Sequence, residues 1–158
     1  MSVLTKDVYL TSKDILFLKE KKNLLRDEQR KLLAERNSIS ADEIREENGT
    51  VLLKKINYDI PKEISKIDEK LRNYVKVEEE DFYKNHDGLT VIIGARVKLN
   101  FGEIMEEYEI HGMNQRGYND FALGAEAPIV LKILGKKVGE VIFFNDERVE
   151  ILEVTRMD

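Results

Sequence analysis

Residues 11–40, TSKDILFLKEKKNLLRDEQRKLLAERNSIS, carry the reading that decides the architecture. Leu18, Leu25, Leu32 and Ile39 recur at a spacing of seven, and Ile15, Leu24 and Leu33 widen the stripe. Thr11-Ser12-Lys13-Asp14 opens the run with hydroxyl caps and an early acid, the chemistry of a helix N-terminus. A second run, residues 51–74, VLLKKINYDIPKEISKIDEKLRNY, places Leu53, Ile56, Ile60, Ile64, Ile67, Leu71 and Tyr74 at steps of three and four. Two apolar stripes joined by a short polar stretch predict an antiparallel helical hairpin packed like a coiled coil. An amphipathic pair inside a larger bundle would need further helices of that length, and the sequence offers none. The turn falls within Ser38–Gly49, and arms of about thirty residues reach roughly 45 Å at about 1.5 Å per residue. Pro61 interrupts the second stripe and predicts a kink or short break, with Asp59 as a local cap.

The texture changes near residue 80: eight of the nine glycines lie beyond it. The acidic run Val77-Glu78-Glu79-Glu80-Asp81 reads as a solvated linker. Strands are predicted at Leu89–Leu99, Met105–His111, Asp120–Gly124, Val141–Phe144 and Arg148–Val154, with a short helix over Pro128–Leu134 that carries Pro in its first turn. The expected class is therefore α+β: a hairpin over 1–79 with its tip at about 39–49, then a compact domain over 80–158.

Charge and composition narrow the function. Charged residues make up 36% of the chain, above the usual share of about a quarter, as a long exposed helical element demands. Residues 1–80 are neutral, seventeen basic against seventeen acidic; residues 81–158 hold nine against fourteen and account for the whole net −5. An acidic surface disfavours free nucleic-acid binding and favours a protein partner with basic surfaces. The chain has no cysteine, which removes disulfides and thiolate sites and leans towards a reducing cytoplasm. The N-terminus lacks the regions of a signal peptide, and no apolar run approaches the roughly eighteen residues of a membrane span. The expectation is an intracellular protein without membrane contact, most simply a monomer. His86 and His111 are expected on the surface or at strand edges rather than as metal ligands, and no nucleophile–base constellation is visible.

Ala127-Pro128-Ile129, then Ile133-Leu134 and Gly135-Lys136-Lys137-Val138-Gly139-Glu140-Val141, are similar to the C-terminal signature of the Gre family of bacterial transcript-cleavage factors, with Ala127 where Ser is usual. Val91-Ile92-Ile93-Gly94-Ala95-Arg96-Val97 resembles the entry to the first strand of that family's second domain. The resemblance covers essentially the whole chain, through the order and spacing of its parts. It implies an FKBP-like C-terminal domain that docks at the rim of the RNA polymerase secondary channel, here through Pro128, Ile129, Lys136 and Lys137. It also implies a hairpin that enters the channel beside the polymerase active site.

In the family the hairpin tip reads Gly-Asp-Leu-Lys-Glu-Asn. Glu43-Ile44-Arg45-Glu46 stands in its place, with Asp42 just before, Glu47 just after, and Glu for the leading Asp. The implied role is accessory: Glu43 and Glu46, with Asp42 and Glu47 as secondary candidates, help hold a magnesium ion that belongs to the polymerase. The protein then binds no cofactor alone and is not itself an enzyme. Magnesium is commonly held by one or two carboxylates and several waters, which suits a rigid rod completing another protein's site. The residues alone also fit a plain reading, because acids at a turn and at a helix start are favoured by the helix dipole. Arg36, Lys54 and Lys55, beside Arg26, Arg30 and Lys31, stand for the family's basic patch facing the nascent RNA 3′ end, or form a mixed solvated face. Two other functions stay open. One is a channel-occupying regulator that inhibits polymerase without cleavage. The other is an FKBP-like prolyl isomerase or chaperone, which requires an aromatic-lined apolar pocket.

Overall fold

The computed structural model describes residues 7–158. Contacts divide the chain into two units: Leu16–Asn73, and the described part of Met1–Ile15 together with Tyr74–Asp158.

The helical unit takes most of α1 (Ser12–Ser38), then α2 (Ala41–Arg45), α3 (Glu47–Lys54), a wide π turn over Lys55–Asp59, and α4 (Ile60–Arg72). Lys22 pairs with Asp68 and the Gln29 side chain reaches Ile56, so residue numbers rise on one arm as they fall on the other. The arms run antiparallel. Leu18, Leu25, Leu52, Ile56, Ile60 and Ile67 are buried, with Leu52 in the place expected of Leu53, whereas Leu24 and Leu33 of the first predicted stripe and Tyr74 of the second are exposed. With only two arms the apolar seam is narrow, and the residues that widened the stripe fall on its flank.

Pro61 is accommodated without a break. The Ile60 amide donates to Lys55, one residue further back than in an α-helix. Continued by one residue, that pattern would have the Ile56 carbonyl served by residue 61, a proline with no N–H. Gln29 Nε2 supplies the missing donor from α1 at 3.1 Å. Asp59 makes no side-chain cap, contrary to the sequence expectation.

The sheet unit opens with β1 (Tyr9–Leu10), which pairs in parallel with β2 (Val75–Lys76). A 3-10 turn over Val77–Glu79 and the short α5 (Asp81–Lys84) follow. The predicted linker is therefore structured: Val77 is fully buried, and Glu78 accepts the Ser12 amide at 2.7 Å. The main sheet holds β3 (Ala95–Asn100), β4 (Met105–His111), β5 (Ala122–Gly124), β6 (Val141–Phe144) and β7 (Glu147–Arg156) in the order β5-β4-β3-β7-β6. All neighbours are antiparallel except β4 and β5. Val97, Leu99, Ile110, Ile142, Val149 and Ile151 line one face, with Val130 and Ile133 of α6 (Pro128–Ile133) in the same core.

Ile151 and Val154 are both buried although three apart, a spacing that strict strand alternation would send to opposite faces. A register shift between β3 and β7 resolves this. Val97 and Lys98 oppose Val154 and Glu153, Leu99 opposes Ile151, and Leu152 is the extra residue of a bulge. Asn145 and Asp146, at φ 52° and 64°, make the two-residue turn that joins β6 to β7.

Candidate functional site: the hairpin tip

The tip is a pair of short helices rather than an open loop. Ser40 caps α2, its hydroxyl accepting the Glu43 amide at 3.2 Å, and the Ile44 amide donates back to the Ser40 carbonyl at 3.1 Å. Asp42 and Glu43 occupy the first turn of α2 and Glu47 the first turn of α3, where the helix dipole favours negative charge. Glu46 lies between the helices in extended backbone, φ −74° and ψ 164°. Its amide donates to Glu43 O at 3.2 Å, and its carbonyl accepts from the Thr50 amide and hydroxyl at 3.0 and 3.2 Å.

Asp42, Glu43, Glu46 and Glu47 are all exposed, and among the described residues none of their carboxylates takes a hydrogen bond or ion pair. Because α2 ends before Glu46, the same-face relation that links residues three apart in a continuous helix does not apply to Glu43 and Glu46. Gly49 lets α3 pack tightly on the end of α2. A Cβ there would lie 2.4 Å from Ile44 O, 2.5 Å from Glu43 O and 2.5 Å from Ile44 Cα. Half-buried Ile44 sits at this junction.

Arg36 lies in the last turn of α1, Lys54 ends α3 and Lys55 begins the π turn; all three are exposed. No group of three or more metal-ligating side chains occurs among the described residues. Two tip carboxylates alone are too few oxygens for a magnesium cage, but they suit an ion whose other ligands come from elsewhere.

The predicted docking residues lie at the two ends of α6. Pro128 and Ile129 begin the helix, while Lys136 and Lys137 follow it, in a turn pinned by Val91 N to Lys136 O at 2.8 Å and Lys137 N to Glu140 Oε2 at 2.5 Å. Ile129 lines a cleft of about 320 Å³ with Phe101, Ile104, Tyr108, Leu123 and Phe144, aromatic and aliphatic walls that also carry Glu106 and Glu147.

A buried polar lattice in the sheet unit was not visible in the sequence. Thr11 and Asp14 form a capping box: the Asp14 amide donates to Thr11 Oγ1 at 3.1 Å, and the Thr11 amide to Asp14 Oδ2 at 2.9 Å. Asp14, fully buried, also accepts the Gly112 amide at 2.7 Å and Gln115 Nε2 at 2.9 Å. His111 is fully buried, not at the surface as expected, because Thr11 Oγ1 lies 2.7 Å from Nδ1 and Glu109 Oε1 2.9 Å from Nε2. An ionised carboxylate can only accept, so the Nε2–H donates to Glu109. Burial raises the Glu109 pKa, but hydrogen bonds from His111 and Arg96 and the charge of Lys13 outweigh it and hold the carboxyl down to about 2. The signal that pointed here was the early acid of Thr11-Ser12-Lys13-Asp14; nothing local linked it to residues a hundred positions away.

No family model matches the chain. A curated relative, the transcription elongation factor GreA of Alkaliphilus oremlandii, is 31% identical over 160 residues, covering 96% of this chain and 98% of that protein. Among solved structures, the GreA factor homolog 1 protein of Thermus thermophilus aligns over 95% of this chain and 99% of its own at 14% identity and a TM-score of 0.41. The prokaryotic transcription elongation factor GreA/GreB from Nitrosomonas europaea aligns over 94% and 99% at 15% identity and a TM-score of 0.39.

Proposed function

This chain belongs to the GreA/GreB family of transcription elongation factors, and we propose that it inserts its helical hairpin into the secondary channel of RNA polymerase and stimulates cleavage of backtracked nascent RNA. The observation that carries the reading is the tip: four exposed carboxylates without partners among the described residues, three on two short helices and Glu46 between them, locked by the Ser40 cap and the Gly49 contact. They stand at the end of a 27-residue helix about 40 Å long.

Glu43 and Glu46 would offer hard oxygen ligands to a magnesium ion shared with the polymerase, with Asp42 and Glu47 as neighbours. Such an ion lowers the pKa of bound water and stabilises charge on the cleaved phosphodiester. The hairpin's task is placement: the cap and the helix–helix contact hold the carboxylates before binding, so little ordering remains to be done in the channel. Arg36, Lys54 and Lys55 would face the RNA 3′ segment. The sheet unit, read as an FKBP-like docking module, would contact the channel rim through Pro128, Ile129, Lys136 and Lys137. The protein then works in the cytoplasm as an accessory factor, with the polymerase supplying the nuclease.

The extended backbone at Glu46 favours a second reading, a channel-occupying regulator whose acids do not share one metal. RNA release from backtracked complexes in magnesium, with wild type and a Glu43→Ala/Glu46→Ala variant, separates the two. Transcript shortening by wild type alone supports cleavage stimulation; slowed elongation by both without shortening replaces it with inhibition. Turnover of a proline peptide by the isolated protein would instead assign the apolar cleft an isomerase activity.

A further inference from the structure

The outer edge of β4 is only half covered. β5 pairs with Glu109, Ile110 and His111, and among the described residues Met105–Tyr108 have no neighbouring strand on that side. The Glu109 amide donates outward to Phe121 O at 2.9 Å, while Ile110 O accepts inward from Gly94. Strand alternation therefore turns the Glu107 N–H and C=O to the same open side as those of Glu109. Next to this edge lies a cleft of about 600 Å³. Its apolar walls are Met105, Tyr108 and Phe121, its acids are Glu106, Glu107, Glu109 and Asp120, and Arg96 is the one cation in its lining, so acids outnumber it four to one.

We propose that an extended, basic segment of a protein partner adds as a strand to the free edge of β4 beside β5, with its Arg or Lys side chains in this cleft. The inference rests on the polymerase reading above for the identity of that partner. Phe121 is 67% exposed and Met105 59%, yet Phe121 is not on a loose loop. Its carbonyl holds the Glu109 amide, and its own amide donates to Asn119 Oδ1 at 3.2 Å. The ring is thus displayed on fixed backbone, which lowers the ordering cost of binding. An exposed aromatic flanked by carboxylates matches a guanidinium or ammonium group on an aliphatic stem.

The acids are available for such a group. Glu109 is already committed to Lys13, Arg96, His111 and Asn119. Glu107 has only a 3.8 Å contact to Arg96, Glu106 accepts the Tyr108 hydroxyl, and Asp120 accepts the Gly117 amide at 3.4 Å. Nucleic acid is excluded from this cleft by charge. A second copy is disfavoured, since pairing two such edges would bring Glu106 and Glu107 against their equivalents; charged edges commonly prevent that association. A basic strand satisfies the open backbone groups and the carboxylates together, the logic of strand addition.

The test measures affinity for RNA polymerase at low and high salt, for wild type, Glu106→Lys/Glu107→Lys and Glu107→Pro. Proline is tolerated where an edge N–H faces solvent, and circular dichroism verifies the fold of each variant. The charge reversal is expected to weaken binding roughly tenfold at low salt, with the gap closing as salt screens the contact. The proline variant should weaken binding at both salts. If wild type binds and both variants bind equally well, the strand-addition site is wrong while the functional reading survives. If wild type does not bind polymerase at all, both fall.

Discussion

Gly49→Ala sets two effects of opposite sign against each other at the tip. Gly49 lies inside α3 with helical backbone, where replacing Gly by Ala ordinarily stabilises by about 0.5–1 kcal/mol. Here the added Cβ would meet Ile44 O at 2.4 Å and Ile44 Cα at 2.5 Å. That is about 1 Å inside the ~3.5 Å at which carbon makes ordinary contact. The atoms it meets are backbone and cannot rotate aside, so α2 and α3 must separate or α2 must melt. Overpacking of this kind costs about 1–3 kcal/mol, and the clash outweighs the propensity gain. Amide hydrogen exchange at Ile44, Glu46 and Thr50 reads the outcome directly, because their bonds to Ser40, Glu43 and Glu46 hold the tip together. All three should exchange faster in the variant. If the tip carboxylates serve the proposed cleavage, a displacement near 1 Å costs on the order of a hundredfold, so cleavage stimulation should fall by about that factor with little change in polymerase affinity. Slower exchange, or a higher melting temperature with full activity, would refute the close approach.

Asp14→Ala strands three donors, the buried Thr11 amide and Gln115 side chain and the partly buried Gly112 amide, and should destabilise by about 3–5 kcal/mol in urea denaturation. Asp14→Asn keeps one acceptor oxygen and should cost clearly less; equal losses would mean that the acceptors are not what matters. The Glu109 pKa is lowered from 4.5 to about 2, so the folded state binds fewer protons there than the unfolded chain. Its contribution is complete above about pH 4.5 and is lost as pH falls towards 2, so a Glu109→Gln variant should lose less melting temperature than wild type across that interval. Leu99→Ala, fully buried among the sheet and α6 residues, should cost about 2–5 kcal/mol by thermal denaturation, and a loss under about 1 kcal/mol would mean that this core is not close-packed.

Sequence pattern made the helical arms and all five main-sheet strands legible, although the first strand begins at Ala95 rather than Leu89, because apolar spacing is a local property that the folded chain must satisfy. What was hidden had a tertiary cause. The exposure of Leu24 and Leu33 follows from there being two arms rather than three or more, which no single stripe records. The π turn at Lys55–Asp59 was foreseen only as a disturbance around Pro61. Its form depends on Gln29, twenty-seven residues earlier, supplying a donor to Ile56. Val77 looked like part of a solvated acidic run, yet one apolar residue among acids is enough to anchor it. The burial of His111 needed a partner a hundred residues away.

The tip shows the same division between local and distant causes. Its four acids could be read in sequence, because dipole effects act within a turn of helix, whereas the Ser40 cap emerged only with the structure. Their spatial relation could not, since it depends on Glu46 leaving the helix and on Gly49 admitting the backbone of Ile44. Substituting Glu46 removes one carboxylate, whereas substituting Gly49 displaces the tip helices and removes none. If the hairpin acts by placing carboxylates, the two variants must fail alike in cleavage while only Gly49→Ala loosens the tip amides. If it acts by filling the channel, Glu46→Ala should be silent, and Gly49→Ala should matter only as far as it changes the shape of the rod.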